Sequence, residues 1–144
     1  GPFRDALLRN QAYLVSLDAD RLLHTFRVTA GLPSGALPYG GWEAPEIEVR
    51  GNSTGHYLSA CALTFASTAD PRLKSRTDYL VAELAKCQAA LPERGFNQGY
   101  LSAFPESLFD RLEARQPVWV PWYTIHKLMA VPQTFSRSAA LASS

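Results

Sequence analysis

Between Gly51 and Ala69 the chain carries no Lys, Arg, Asp or Glu. Leu58, Cys61, Ala62 and Phe65 recur there at helical spacing, and Ala60, Leu63 and Ala66 fill the other faces. A helix that is apolar all round has no side to give to water and must be enclosed by other elements. Ser53 or Thr54 stands where a cap is needed. The next segment behaves differently. Asp70-Pro71 is a cap followed by proline in the first turn, and the helix it starts runs to about Leu91. Leu73, Leu80, Val81, Leu84, Cys87 and Leu91 make one apolar stripe, opposite Lys74, Arg76, Asp78, Glu83 and Lys86. That pattern belongs to an outer helix. A further helix from Pro121, with Trp122, Tyr123, Ile125, Leu128 and Met129, reads as largely buried again.

Two more helices precede these, over residues 4–17 and from Asp18 to Ala30, the second capped by Asp18 and stopped by Gly31 and Pro33. Residues 31–52 and 92–121 are long loops, the second with a short helical turn near 106–114. Structureless loops beyond about 12–15 residues in a compact domain are usually functional or disordered. No segment alternates for long enough to be a strand. The expected fold is therefore all-α, with helices in two concentric layers, since an ordinary bundle gives every helix a polar face. A helix enclosed on all sides needs more neighbours than three or four others supply, which predicts an arc of a larger ring with apolar surface left open.

The charge balance narrows the partners. With 14 Lys+Arg against 13 Asp+Glu the net charge is +1, which speaks against nucleic acid or an acidic membrane and favours neutral ligands. Trp42, Tyr100, Phe104, Trp119, Trp122 and Tyr123 lie in or beside the loops, either lining a binding site or plugging the ends of a helical core. Cys61 and Cys87 lack metal-site or disulfide spacing and read as buried free thiols. No run reaches the roughly 18 apolar residues of a membrane span. The chain opens on Gly1-Pro2 without a visible signal peptide, which leaves open both a missing export signal and a protease-cleavage scar.

No single catalytic signature such as GxSxG, HExxH or a P-loop is present. Four strings in order are distinctive: Arg50-Gly51-Asn52-Ser53-Thr54-Gly55-His56-Tyr57-Leu58-Ser59-Ala60, Gly99-Tyr100-Leu101-Ser102-Ala103-Phe104-Pro105-Glu106, Phe109-Asp110-Arg111-Leu112-Glu113-Ala114, and Val118-Trp119-Val120-Pro121-Trp122-Tyr123-Thr124-Ile125-His126-Lys127. Together they resemble the β-L-arabinofuranosidase families of glycoside hydrolases, over residues 1 to about 130, with Leu17-Asp18-Ala19-Asp20-Arg21-Leu22-Leu23-His24 fitting as well.

That resemblance implies an (α/α)6 barrel with sugar bound at the ring mouth, of which this chain is an N-terminal part holding the first helical hairpins. It also implies a retaining mechanism in which a zinc-bound Cys thiolate is the nucleophile and a Glu the general acid/base, a departure from the usual carboxylate pair. The family's cysteine cluster and catalytic Glu lie beyond the matched residues, so no catalytic or metal-binding role is assigned here and no cofactor is expected in this chain; zinc belongs to the full-length parent. The expected partner is carbohydrate, L-arabinofuranosyl glycans, bound weakly if at all, and the parent is expected to be secreted or periplasmic.

The substrate-side candidates are His56, Arg50, Trp42, Glu106, Tyr100, Trp122, Tyr123 and His126. His56 either bonds a sugar hydroxyl or is satisfied by a loop carbonyl. Arg50 and Trp42, with Glu43, Glu46 and Glu48, form a hydrogen-bonding and stacking wall, or the acids are surface charge. Glu106 is a ligand for hydroxyls or a helix-start carboxylate. Trp122 and Tyr123 stack on sugar or fill the barrel. Asn52 stands where members of the family more often carry His, which weakens a role for that position. After Ala130 the likeness ends: Pro132 breaks the helix, and 131–144 reads as a divergent, disordered tail of the kind a frameshift or truncation produces. The fragment is expected to be inactive. Its rivals are a non-catalytic carbohydrate-binding helical module and a different helical toroid.

Overall fold

In a computed structural model, which describes the backbone of residues 1–142 and the side chains of residues 1–131, the chain is all-helical. The helices are α1 (Pro2–Ser16), α2 (Ala19–Thr29), α3 (Asn52–Thr68), α4 (Pro71–Ala90), α5 (Ser107–Glu113) and α6 (Pro121–Ala142), with short 3-10 turns at Gly41–Glu43 and Leu91–Arg94. No strand occurs among the described residues. Asp18 caps α2 by accepting the Asp20 and Arg21 amides at 2.8 and 3.4 Å. Asp70 caps α4 through the Arg72 amide at 2.9 Å, with Pro71 in the first turn. Both caps satisfy amides that have no partner inside their own helix.

The side-chain contacts fix the directions of the helices. Asp20 meets Tyr79 and Arg27 meets Glu83, so α2 and α4 run parallel. α3 and α4 are joined only by Ala69 and Asp70 and turn back on one another, as a short helix–helix link requires. α6 starts beside the start of α3: Thr124 Oγ1 donates to the Val49 carbonyl at 2.9 Å, and Gly55 lies against Lys127 and Leu128. Two outer helices, α2 and α4, thus run parallel, and two inner helices, α3 and α6, run parallel in the opposite sense. Outer–inner hairpins repeated side by side are the unit of a double-layered α/α ring. α1 lies antiparallel to α3, held by Tyr57 donating to the Leu14 carbonyl at 2.8 Å.

The core sits between the layers. Leu23, Phe26, Leu58, Cys61, Leu73, Leu80 and Leu91 are fully enclosed, and each large apolar side chain so buried contributes about 1.5–3 kcal/mol. On the outside, Arg27 joins Asp20 at 2.8 Å and Glu83 at 2.7 Å, pinning α2 to α4.

Several sequence expectations change. α3 is enclosed on three sides by α1, α2, α4 and α6, but a fourth strip, marked by His56, Leu63 (53% exposed) and Ser67, stays open. α6 is not largely buried: Trp122 and Met129 are exposed, because none of the described residues covers that face. Val81 also faces outward, off the apolar stripe of its helix. Neither Ser53 nor Thr54 caps α3; its N-cap is Gly51 at φ 89°. Nor does α6 break at Pro132, since its backbone continues to Ala142: a proline costs one helical hydrogen bond, which a helix can carry when its neighbours stay helical. The side chains of 132–142, and all of Ser143 and Ser144, lie outside the described residues.

Candidate functional site

The long loops lead to the same end of the molecule, where α3 and α6 both begin. Glu43, only 6% exposed, organises this end. Its carboxylate accepts the Gly51 amide at 2.7 Å, the Ser53 amide at 2.8 Å and the Asn52 side-chain amide at 3.2 Å. A carboxylate at a helix start both fills empty donor positions and complements the helix dipole. Glu43 is therefore neither surface charge nor part of a ligand wall: it is the cap of α3, supplied from outside the helix. Asn52 is buried in the same cluster and also donates to the Val49 carbonyl at 2.9 Å.

Arg50 is tied down beneath this end. Its Nε donates to the Ala103 carbonyl at 2.7 Å and its Nη1 to the Ile47 carbonyl at 3.0 Å, and burial lowers its pKa. It thereby links the first long loop to the second. Glu48 makes a second link, pairing with Arg111 and accepting the Trp119 amide at 2.6 Å. These contacts, the Trp119 amide first, hold its carboxyl below the usual carboxylate range.

Above these supports lie the exposed candidates. His56 Nε2 is 3.3 Å from the Tyr123 hydroxyl, with the rings tilted at 51°, so its partner is a side chain of α6 and not a loop carbonyl. Lys127 Nζ sits 4.6 Å from the centre of the Tyr123 ring. Partial burial, and then the Lys127 charge, push the His56 pKa below its ordinary value, which keeps the imidazole neutral near pH 7 and able both to donate and to accept. Trp42 meets Trp119 edge to face, ring centres 6.0 Å apart.

Tyr100, Glu106 and Trp122 fall in a different place. With Asn97, Phe109, Asp110, Glu113 and Ile125 they line an open cleft of about 340 Å³. Trp122 packs on Phe109 at 4.9 Å. The Tyr100 hydroxyl donates to the Phe104 carbonyl at 2.7 Å, and burial raises its pKa. Glu106 is at the start of α5, yet its carboxylate accepts the Asn97 amide at 2.9 Å across the loop. His126 lies beyond Trp122, beside Ile125, Met129 and Ala130. The eight candidates thus divide into His56, Tyr123 and Trp42 around the helix starts, Tyr100, Glu106 and Trp122 in the cleft, His126 further along α6, and Arg50 underneath.

Cys61 and Cys87 are buried, and burial raises both thiol pKa values, that of Cys87 to about 11. Among the described residues no three His, Cys, Asp or Glu side chains come together as metal ligands. The described residues do not fit a zinc–thiolate centre, which needs an accessible, deprotonated sulfur.

Paired outer and inner helices, with uncharged hydrogen-bonding groups and indoles at the inner helix starts, define a protein of the α/α-toroid class. Within that class the chain belongs to the β-L-arabinofuranosidase GH127 catalytic-domain family, which matches residues 1–133, and hence to the glycoside hydrolases. No curated protein matches it. None of the described helices is long and apolar enough to cross a membrane.

Proposed function

We propose that this chain forms part of the sugar-binding mouth of a glycoside hydrolase that removes terminal L-arabinofuranosyl residues from plant-type glycans with retention of configuration. The observation that carries this reading is the His56–Tyr123 pair, 3.3 Å apart at the start of the two inner helices. A neutral imidazole and a phenol both donate and accept, which suits furanose hydroxyls. The open strip of α3 that continues from them carries no charge, which suits a neutral ligand. Zinc, by the same reading, serves the parent enzyme through residues other than Cys61 and Cys87, and the chain alone does not turn over substrate.

Two measurements test this. Calorimetric titration with methyl β-L-arabinofuranoside, locked in the furanose ring, is expected to show weak, saturable binding that His56→Ala removes. A chromogenic β-L-arabinofuranoside is expected to release no chromophore, with or without zinc. Zinc-dependent release by this chain would overturn the placement of the chemistry elsewhere. Absence of any sugar binding would overturn the mouth itself.

A further inference from the structure

Two parts of the surface lie open for opposite reasons. At one of them α1 overruns the body. From Pro2 to Arg9 every residue except Leu7 is exposed, Phe3 at 91% and Leu8 at 51%. The first side chain of α1 to hydrogen-bond the body is Asn10, on Thr64 at 3.4 Å. Helical turns without packing are marginal in water, so this projecting stretch gains from a cover. Phe3 and Leu7 are spaced by four, as are Arg4 and Leu8, and such residues share one side of a helix. Arg4 stands in the first turn, where the helix dipole disfavours a cation, and it has no ion-pair partner among the described residues.

At the other place α6 lacks a neighbour. Trp122 and Met129 are 63% and 67% exposed. With Ile125 they line a hollow of about 320 Å³, which shares Trp122 and Ile125 with the cleft of about 340 Å³ beside α5. The two make one groove with an apolar floor. Its α5 end carries Glu106, Asp110 and Glu113 and no Lys or Arg. Those three follow one another at i, i+4 and i+7, so like charges stand in a row and repel. Glu106 is held on the Asn97 amide. Asp110 and Glu113 are exposed and have no ion-pair partner among the described residues. The groove therefore fits an apolar helix that brings a cation to its α5 end.

We propose that this groove receives the projecting α1 of a second copy of this chain, with Arg4 among the α5 carboxylates and Phe3, Leu7 and Leu8 against the apolar floor on α6. An amphipathic helix binds a groove through anchors at this spacing. The Arg4 charge relieves the repulsion in the α5 row, and the apolar side chains of both copies leave water together. Unlike surfaces meet, so the contact is head-to-tail, and assembly continues with concentration unless the rotation between copies closes it. A short helix covers little area for a specific interface, which sets the dissociation constant at about 10–100 µM.

Sedimentation of the intact chain over about 1–500 µM is expected to show a mean mass that rises with concentration. Raising the salt should weaken association about three- to tenfold, because the charges that meet are near the surface. Arg4→Glu, and separately the double variant Asp110→Lys with Glu113→Lys, should each weaken self-association about tenfold. Mixing the two variants should restore it, since each then offers the other a complementary helix or groove. Phe3→Ser should weaken association as well, and thermal melts should match wild type because every altered position is exposed. A monomer at all concentrations would overturn the proposal. Association that ignores salt and both charge variants would also overturn it, and would point to two α6 faces meeting each other. Variants that stay apart when mixed would exclude α1 as the occupant.

Discussion

Gly55 of α3 lies directly against Lys127 of α6: a Cβ added at Gly55 would come within 2.5 Å of the Lys127 carbonyl carbon and oxygen and 2.9 Å of the Leu128 nitrogen. The two inner helices touch backbone to backbone at this point, close to where His56 and Tyr123 meet. The glycine therefore sets the spacing of the helices and, through it, the spacing of the pair at the mouth.

Gly55→Ala should be destabilising although alanine is the better helix former. Backbone atoms cannot swing aside as a flexible side chain can, so α6 must move or the contact must strain, at a cost of about 1–3 kcal/mol. Urea unfolding should show a lower midpoint with an unchanged slope. A midpoint at or above wild type would mean that α6 yields freely.

Glu43→Gln should also lower stability, by about 1–3 kcal/mol, because two amides at the start of α3 lose a charged acceptor inside a buried cluster. Hydrogen exchange should locate the loss: the Gly51 and Ser53 amides should exchange faster, while those in the middle of α4 keep their protection. Uniform acceleration across all helices would argue against a local cap.

Acid should loosen the clamp between the loops. The Trp119 amide and Arg111 depress the Glu48 pKa in the folded state. A carboxylate so depressed contributes stability that is present above its unfolded value, about 4.3, and is lost as the pH falls through the lower folded value. Glu48→Gln should therefore narrow its stability gap to wild type as the pH is taken below about 4. A gap independent of pH would exclude the ionised carboxylate as the source.

His56 should titrate below its ordinary value, first because it is partly buried and then because Lys127 is near. Lys127→Met removes the second cause only. Proton NMR should show the His56 pKa rising in that variant without reaching the value of an unfolded peptide. No rise would detach Lys127 from the pair.

The sequence was most legible where a residue's own chemistry dictates its neighbourhood. Asp18 and Asp70 were readable as caps because each bonds amides two or three residues ahead. The uncharged run of α3 announced the burial of three of its sides, because it holds no Lys, Arg, Asp or Glu that needs water, but it did not announce the open strip marked by His56, Leu63 and Ser67. Glu43 gave no such signal, since its amides lie eight and ten residues away across a loop. Trp119 was visible as a loop aromatic, but the clamp through Glu48, 71 residues away, was not. The one local hint of the missing cap was Gly51, a residue with no side chain to do the work.

The order of the motifs, the all-helical pattern and the amphipathic outer helix α4 followed from the amino acids alone, because periodicity and capping act within a few residues; the enclosure expected of α6 did not hold. The tertiary structure decided which groups share a place. It set His56 beside Tyr123, separated Tyr100, Glu106 and Trp122 into their own cleft, gave Arg50 to the loop carbonyls, and left one strip of α3 and one face of α6 open. Those outcomes depend on how two helices approach at Gly55 and on which loop carbonyls and amides end up without a partner, and both are set by contacts between residues far apart in the chain.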